Sequence, residues 1–364
     1  MRPILLAGGG TGGHVFPLLG LVEEGFAVRA REAECVFVGT EKGLEAKVVR
    51  ARGHRLETLA IEPLKGRSVF GALRGGAIAA AATGQAFGLL RRVRPGLVVS
   101  IGGYAAGPVA LAASALGIPL ALLEPNRVAG FTQRLLGPLA RRIYVAFPEL
   151  LGSVGSKGRA LGIPLRAGFS PAPSPARAQG EPLSILVMGG SQGAEHLNRT
   201  LPAVFGALVA DGHELTVLHQ AGRGRAEPVR EAYARVDAPI TVTEFIDDVP
   251  AQVRAAHLVV CRAGALTCAE LCAIGRAAVL IPYPHAADDH QAKNAEALAE
   301  AGAAVALRQE HATVHALVHA IAELSTDDGR RVDMADRARA RGVPDAALRI
   351  ADDVLPLHLD RRAA

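Results

Sequence analysis

The sequence predicts an α/β protein of two Rossmann-like domains, each a parallel sheet with crossover helices, with a cleft between them. Three features predict it. The first is a repeated opening. The apolar run Ile4-Leu5-Leu6-Ala7 leads into Gly8-Gly9-Gly10-Thr11-Gly12-Gly13-His14, and Ser184-Ile185-Leu186-Val187-Met188 leads into Gly189-Gly190-Ser191-Gln192-Gly193-Ala194. The second is an echo within each half. Leu97-Val98-Val99-Ser100-Ile101 runs into Gly102-Gly103, and Leu258-Val259-Val260-Cys261 runs into Ala263-Gly264-Ala265. The third is the alternation of short apolar runs with helical segments, the pattern of buried parallel strands and their crossovers. At roughly 150 residues per domain, 364 residues suit two domains.

Composition narrows the function. Half the residues are hydrophobic and 21% are charged, which excludes a disordered chain. Forty basic residues against 35 acidic ones leave a net charge of +5, suited to anionic substrates or an anionic membrane surface. Ten Phe, four Tyr and no Trp are too few for a stacking platform, so no nucleic-acid partner is expected. The four cysteines, at 35, 261, 268 and 272, follow no secretory signal and point to a reducing cytosol rather than a disulfide framework.

The strand 35–38 follows the first helix. The insert 63–94 mixes Val69, Phe70, Leu73, Ile78, Phe87, Leu89 and Leu90 with Lys65, Arg67, Arg74, Arg91, Arg92 and Arg94. It reads as an amphipathic helix pair or as a surface docking into an anionic leaflet. The uncharged stretch 97–123 is long enough to span a bilayer, but Gly102, Gly103, Gly107, Pro108, Gly117 and Pro119 divide it into strand, turn, helix and strand. Residues 165–182, with Pro171, Pro173 and Pro175, read as a linker or exposed crossover. Residues 344–361 are helical in pattern.

Both glycine loops follow a strand and open a helix, where backbone N–H groups and the helix dipole favour phosphate. A dinucleotide enzyme would need an acid at the tip of the second strand, and Glu41 comes late for that. His14 ends the first loop and can take a proton near neutral pH. Ser191 brings a hydroxyl to the second loop. Phe245 and Ile246 in Thr243-Glu244-Phe245-Ile246-Asp247-Asp248 can hold a base ring, Glu270 can accept both ribose hydroxyls, and His290, Gln291 and Asn294 can bond sugar hydroxyls. His311, His315 and His319, four residues apart, read as surface, and Cys268 and Cys272 as small apolar helix residues.

Taken together the motifs resemble the MurG family of bacterial peptidoglycan glycosyltransferases, glycosyltransferase family 28, with a two-domain GT-B fold. The matching segments are Gly8 to His14, Gly102-Gly103-Tyr104, Glu124-Pro125-Asn126, Gly189 to Ala194, Thr243 to Asp248, Cys261 to Thr267 with Glu270, and Asp289-His290-Gln291 with Asn294. They occur in the family's order and cover nearly the whole chain.

The resemblance implies an inverting hexosyltransferase that moves N-acetylglucosamine from UDP-GlcNAc to the C4 hydroxyl of the muramoyl sugar of lipid I, giving lipid II. It implies an acceptor-binding, membrane-associating domain over 1–164, with 344–364 packing back on it, and a donor-binding domain over 165–343. Donor contacts are expected from Thr11, Gly12, Gly13, Asn126, Arg166, Ser191, Ile246, Ala265, Leu266, Thr267, Glu270, His290 and Gln291. Acceptor contacts are expected from Gly10, Thr11, Gly103, Tyr104, Glu124 and Asn126, with His14 as the base. No cofactor and no bound metal are expected. The expected partners are UDP-GlcNAc, lipid I, the anionic cytoplasmic leaflet at which the protein sits peripherally, and other cell-wall synthesis enzymes.

The chain departs from the family's Glu-Gln-Asn at Pro125 and from its Gly-Asn-Pro-Val-Arg at Ile163 and Leu165. It carries His290 where some members have Gln. The competing readings are a diacylglycerol sugar transferase, a UDP-GlcNAc 2-epimerase, a non-catalytic UDP-sugar binder and an NAD-linked dehydrogenase.

Overall fold

A computed structural model describes residues 2–41, 43–60, 69–103, 105–178, 180–190 and 192–359. The chain divides into two compact units, 1–167 with 345–364, and 168–344.

The first unit is a seven-stranded sheet of β1 (Ile4–Gly8), β2 (Cys35–Thr40), β3 (Arg55–Leu59), β4 (Leu97–Gly102), β5 (Leu120–Glu124), β6 (Arg142–Val145) and β7 (Gly158–Arg159). The order is β3-β2-β1-β4-β5-β6-β7 and every pairing is parallel. The strand direction explains the continuous apolar runs, because both faces are covered. Alternate residues of β1 go to opposite sides. Ile4 and Leu6 pack with Val15, Leu18, Leu19 and Phe26, while Leu5 and Ala7 pack with Ala86, Leu90, Val109 and Ala113.

The helix Gly12–Gly20 continues through a π-helical turn, Leu21–Phe26. There Gly25 lies so close to the Ala347 carbonyl that a β-carbon would sit 2.6 Å from its oxygen. The carbonyl belongs to the helix Ala346–Leu359, whose Ile350, Ala351 and Val354 are fully buried in this unit's core. Burial of a side chain the size of Ile350 or Val354 contributes about 1.5–3 kcal/mol.

The second unit is a six-stranded sheet of β8 (Leu183–Met188), β9 (Leu215–Gln220), β10 (Ile240–Thr243), β11 (Leu258–Cys261), β12 (Ala278–Leu280) and β13 (Val305–Ala306). Its order, β10-β9-β8-β11-β12-β13, repeats that of the first sheet, again all parallel. Leu183, Ile185 and Val187 pack on Leu197, Leu201 and Phe205 of the helix Glu195–Ala210.

Several expectations change. Contacts place the division at 167/168 and 344/345, so Arg166 belongs to the first unit, with its guanidinium 5.4 Å over the Phe16 ring. Among its described residues the insert holds one 25-residue helix, Val69–Val93, rather than a pair, and no proline interrupts it. Lys65 and Arg67 lie outside the described residues. The proline-rich stretch is fastened to the second unit: Ala172 N–H donates to the Ile274 carbonyl, and Arg276 donates to the Ala172 carbonyl. The stretch 97–123 forms β4, a glycine turn, the helix Ala106–Ala115 and β5. Among the described residues, no helix is long and apolar enough to cross a membrane.

Candidate active site

In each sheet the strand order reverses at one point, beside β1 and β4 in the first and beside β8 and β11 in the second. Ligands of open α/β sheets bind outside the carboxyl ends of strands at such a point.

In the first unit, β1 ends in the glycine loop and β4 ends in Gly102-Gly103. The pairing slips between Ala7 and Gly8, so that Gly8 sits opposite Gly102. Gly103 has φ +92°, and a β-carbon there would come 2.7 Å from the Gly9 carbonyl oxygen and 3.2 Å from His14 Nδ1. Only glycine lets the two turns close on each other.

His14 Nδ1 lies 3.0 Å from the Gly9 carbonyl oxygen. A carbonyl can only accept, so Nδ1 carries the hydrogen and Nε2 is the basic nitrogen. The helix Gly12–Gly20 starts at Thr11 with no side-chain cap and no acid in its first turn, which leaves its positive end open to an anion.

The Gly10 N–H is committed elsewhere. It donates to Glu45 Oε2 at 2.9 Å, so it is not among the donors that the loop offers a diphosphate. Glu45 Oε1 accepts from Thr40 N–H at 2.7 Å and from the Thr40 hydroxyl at 2.8 Å. Burial alone would raise this carboxyl, but the hydrogen bonds from Gly10, Thr40 and its own backbone hold it below the usual carboxylate range. Its place in the sequence, two residues after Gly43 at the start of the helix Leu44–Ala51, is the one signal that could have marked it.

Glu124, at the end of β5, organises the next loop. Oε1 accepts from Asn126 N–H at 2.9 Å and from its amide at 3.3 Å, and Oε2 accepts from Gly130 N–H at 2.9 Å. It lines a cavity of about 780 Å³ with Arg127, Gln133, Arg134, Glu149 and Lys157.

In the second unit, the turn after β8 leads into the helix Glu195–Ala210. Gly193 has φ +71°, and a β-carbon there would strike the Ala221 carbonyl. That carbonyl accepts from Asn198 Nδ2 at 2.9 Å. Asn198 Oδ1 accepts from His219 Nε2 at 3.1 Å, and His219 Nδ1 accepts from the Tyr233 hydroxyl at 2.8 Å. Burial pushes His219 down to about 4, so the ring stays neutral and braces the turn.

Glu244 Oε1 holds Gly224 N–H at 2.8 Å, while Phe245 and Ile246 stand in the loop beyond β10 rather than on the strand. β10 ends at Thr243, and Asp248 caps the helix Val249–Ala255, accepting from Ala251 N–H at 3.0 Å. After β11, Gly264 opens the helix Ala265–Ile274 with no side-chain cap and no acid in its first turn, Ala265-Leu266-Thr267, a helix start that favours an anion. Glu270 is buried one turn further on.

Asp288 and Asp289 both take positive φ, 52° and 54°, unusual for residues with a side chain. This kink delivers His290, whose Nδ1 donates to the Ala287 carbonyl at 2.6 Å, and Gln291, whose Oε1 accepts from Tyr283 N–H at 3.0 Å. Asn294 is fully buried and donates to the Ala263 carbonyl at 3.2 Å, tying this helix to the turn after β11.

The described residues thus gather Gly10, Thr11, Gly12, Gly13, His14, Gly103, Glu124 and Asn126 at the carboxyl edge of the first sheet. Ile246, Ala265, Leu266, Thr267, Glu270, His290 and Gln291 gather at that of the second. Tyr104 and Ser191 lie outside the described residues. Sequence reasoning missed Glu45 and the Asn198–His219–Tyr233 network. Burial pushes the thiols of Cys261 and Cys272 up to about 12, which makes them packing residues, not nucleophiles. His311 precedes the helix Val314–Thr326, so the three exposed histidines do not share one helix. Among the described residues, no three His, Cys, Asp or Glu side chains are grouped to hold a metal ion.

Two parallel sheets of one strand order, each with an anion-receptive helix start at its switch point, have the architecture of GT-B glycosyltransferases. Family models agree: residues 4–145 match the glycosyltransferase family 28 N-terminal domain and 184–350 the family 28 C-terminal domain. The chain belongs to glycosyltransferase family 28.

A Sorangium cellulosum protein is 46% identical over 98% of this chain and 89% of its own length. Its name is UDP-N-acetylglucosamine--N-acetylmuramyl-(pentapeptide) pyrophosphoryl-undecaprenol N-acetylglucosamine transferase. The crystal structure of Acinetobacter baumannii MurG is 30% identical, with a TM-score of 0.81 over 98% of this chain and 100% of that one. A UDP-GlcNAc 2-epimerase from Neisseria meningitidis, crystallised with UDP-GlcNAc, shares the fold at 13% identity and a TM-score of 0.68, covering 98% of this chain and 100% of that one.

Proposed function

We propose that this protein transfers N-acetylglucosamine from UDP-GlcNAc to the C4 hydroxyl of the muramoyl sugar of lipid I, inverting the anomeric centre and producing lipid II for peptidoglycan. The observation that carries this reading is the 46% identity, over nearly the full chain, to a transferase of that name.

The second unit takes the donor. Ile246 meets uracil through its main chain, and Glu270 accepts the ribose hydroxyls. The helix start at Ala265-Leu266-Thr267 and Ser191 meet the diphosphate, while His290 and Gln291 read the sugar hydroxyls. The first unit takes the acceptor at Thr11, Gly103, Tyr104, Glu124 and Asn126. Thr11, Gly12, Gly13, Asn126 and Arg166 add donor contacts from that unit.

In the reaction, His14 Nε2 takes the proton of the C4 hydroxyl as the oxygen forms its bond to C1. The C1–O bond to UDP breaks, and its electron pair leaves on the β-phosphate oxygen. In this reading the uncapped helix starts stabilise the departing anion without a bound metal.

An apolar surface on the first unit fits the cytoplasmic leaflet where such an acceptor resides. Phe131 and Leu135 are 72% and 62% exposed, with Leu111 and Leu139 also exposed. Their helices meet where Gly107 faces Thr132, and Arg134 and Arg141 stand exposed among them.

The deciding experiment measures UDP release from UDP-GlcNAc with and without a short-chain lipid I analogue. Release that requires the analogue and yields a disaccharide product supports the reading. Conversion of UDP-GlcNAc to UDP-ManNAc without acceptor would replace it with an epimerase.

A further inference from the structure

Glu45 and His14 are joined through a single peptide group. The bond between Gly9 and Gly10 contributes both its carbonyl, which accepts from His14 Nδ1–H at 3.0 Å, and its N–H, which donates to Glu45 Oε2 at 2.9 Å. The surroundings leave this peptide little freedom. Glu45 is 1% exposed, and β-carbons on Gly9, Gly39 and Gly43 would each fall 2.2–2.4 Å from its side chain. Gly103 closes the other side of the Gly9 carbonyl.

We propose that Glu45 is a positioning residue that acts on His14 through the Gly9–Gly10 peptide, fixing the Nδ1–H tautomer and supporting the imidazolium formed when Nε2 takes the acceptor's proton. The inference deepens the reading of His14 as base and rests on it.

A negative carboxylate at a peptide N–H draws electron density toward the carbonyl oxygen, making it a stronger acceptor for Nδ1–H. The result is the role a carboxylate plays beside a catalytic histidine, here passed through one amide. Among the described residues, the donors to the Glu45 carboxylate are Gly10 N–H and the N–H and hydroxyl of Thr40, none of them charged. On the packed elements, Glu23 pairs with Arg52 at 2.6 Å and with His54, and Glu57 pairs with Arg55 and Arg92. Lys47 and Arg50 are exposed, and Glu24 is half-buried.

The test compares wild type, Glu45→Gln, Glu45→Asp, Thr40→Val and His14→Ala in the full chain. NMR follows the His14 ring through a pH titration, and steady-state kinetics give kcat and the KM for UDP-GlcNAc. Glu45→Gln is expected to lower the His14 pKa by about one unit and to cut kcat roughly tenfold or more with the donor KM unchanged. Glu45→Asp, which keeps the charge, should recover part of both. Thr40→Val removes one bond to Glu45 and should give a smaller shift of the same sign, keeping the test open if Glu45→Gln does not fold. An unchanged His14 titration and tautomer in folded Glu45→Gln and in Thr40→Val overturns the proposal. Full activity in His14→Ala would instead overturn the base assignment, whatever the NMR shows.

Discussion

Glu124 sits 3% exposed at the tip of β5. Burial pushes its carboxyl up to about 7, against the hydrogen bonds from Asn126 and Gly130 that pull it down. The folded value lies above that of the unfolded chain, so the native state holds the proton more tightly. The stability from this group is complete below about pH 4.5 and is lost as pH rises through about 7. Denaturant unfolding of wild type and Glu124→Gln up to about pH 8 should show the wild type losing ground across that window, by at most about 3 kcal/mol. A constant difference would mean that the carboxyl titrates normally. Glu270 is tested by kinetics. Glu270→Ala should raise the KM for UDP-GlcNAc roughly tenfold or more, and an unchanged value would remove it from the ribose role. The place of Glu270 on the helix after the Gly264 turn was legible in the sequence, while its ribose role is what the family resemblance implies. Glu45 was not, because its role depends on three glycines making room for a charge, which a one-dimensional pattern does not reveal.

The strands were the most legible segments. Runs such as 97–101 and 258–261 are apolar on both faces, as buried parallel strands must be. The stretch 165–182 was less so. Its prolines signal irregular backbone, but nothing local says what that backbone touches. The answer lies about a hundred residues away. Arg276, 1% exposed, donates to the carbonyls of Val253, Ala172, Gly275 and Arg254, and burial lowers it to about 10. Arg254 adds bonds to the Gly168 carbonyl and the Ser170 hydroxyl. Arg276→Met would leave four carbonyls without this donor and should cost about 3 kcal/mol by calorimetry or denaturant unfolding. A loss under about 0.5 kcal/mol would show that the clasp is not needed for stability.

The proposed membrane contact makes vesicle binding depend on charge and on apolar surface. The whole chain carries a net charge of +5, and with Phe131, Leu135, Leu111 and Leu139 exposed on the first unit, the protein should bind vesicles rich in phosphatidylglycerol more weakly as salt rises. Joint Phe131→Ser and Leu135→Ser substitution should cut that binding roughly tenfold or more. Binding that ignores both salt and the substitutions would place the contact elsewhere.

The helix Ala346–Leu359 has a consequence for how the protein is made. Ile350 and Val354 fill the core of the first unit, His358 Nε2 donates to the Arg2 carbonyl at 2.8 Å, and Asp353 accepts from the Tyr144 hydroxyl at 2.8 Å. All of 168–344 is synthesised before this helix. A nascent chain usually completes its folds in the order they leave the ribosome. Here the unit begun first must wait, its core open where Ile350, Ala351 and Val354 pack, until the unit begun second has been made. A premature stop within 345–359 would therefore damage the amino-terminal half of the molecule and spare the half next to the cut.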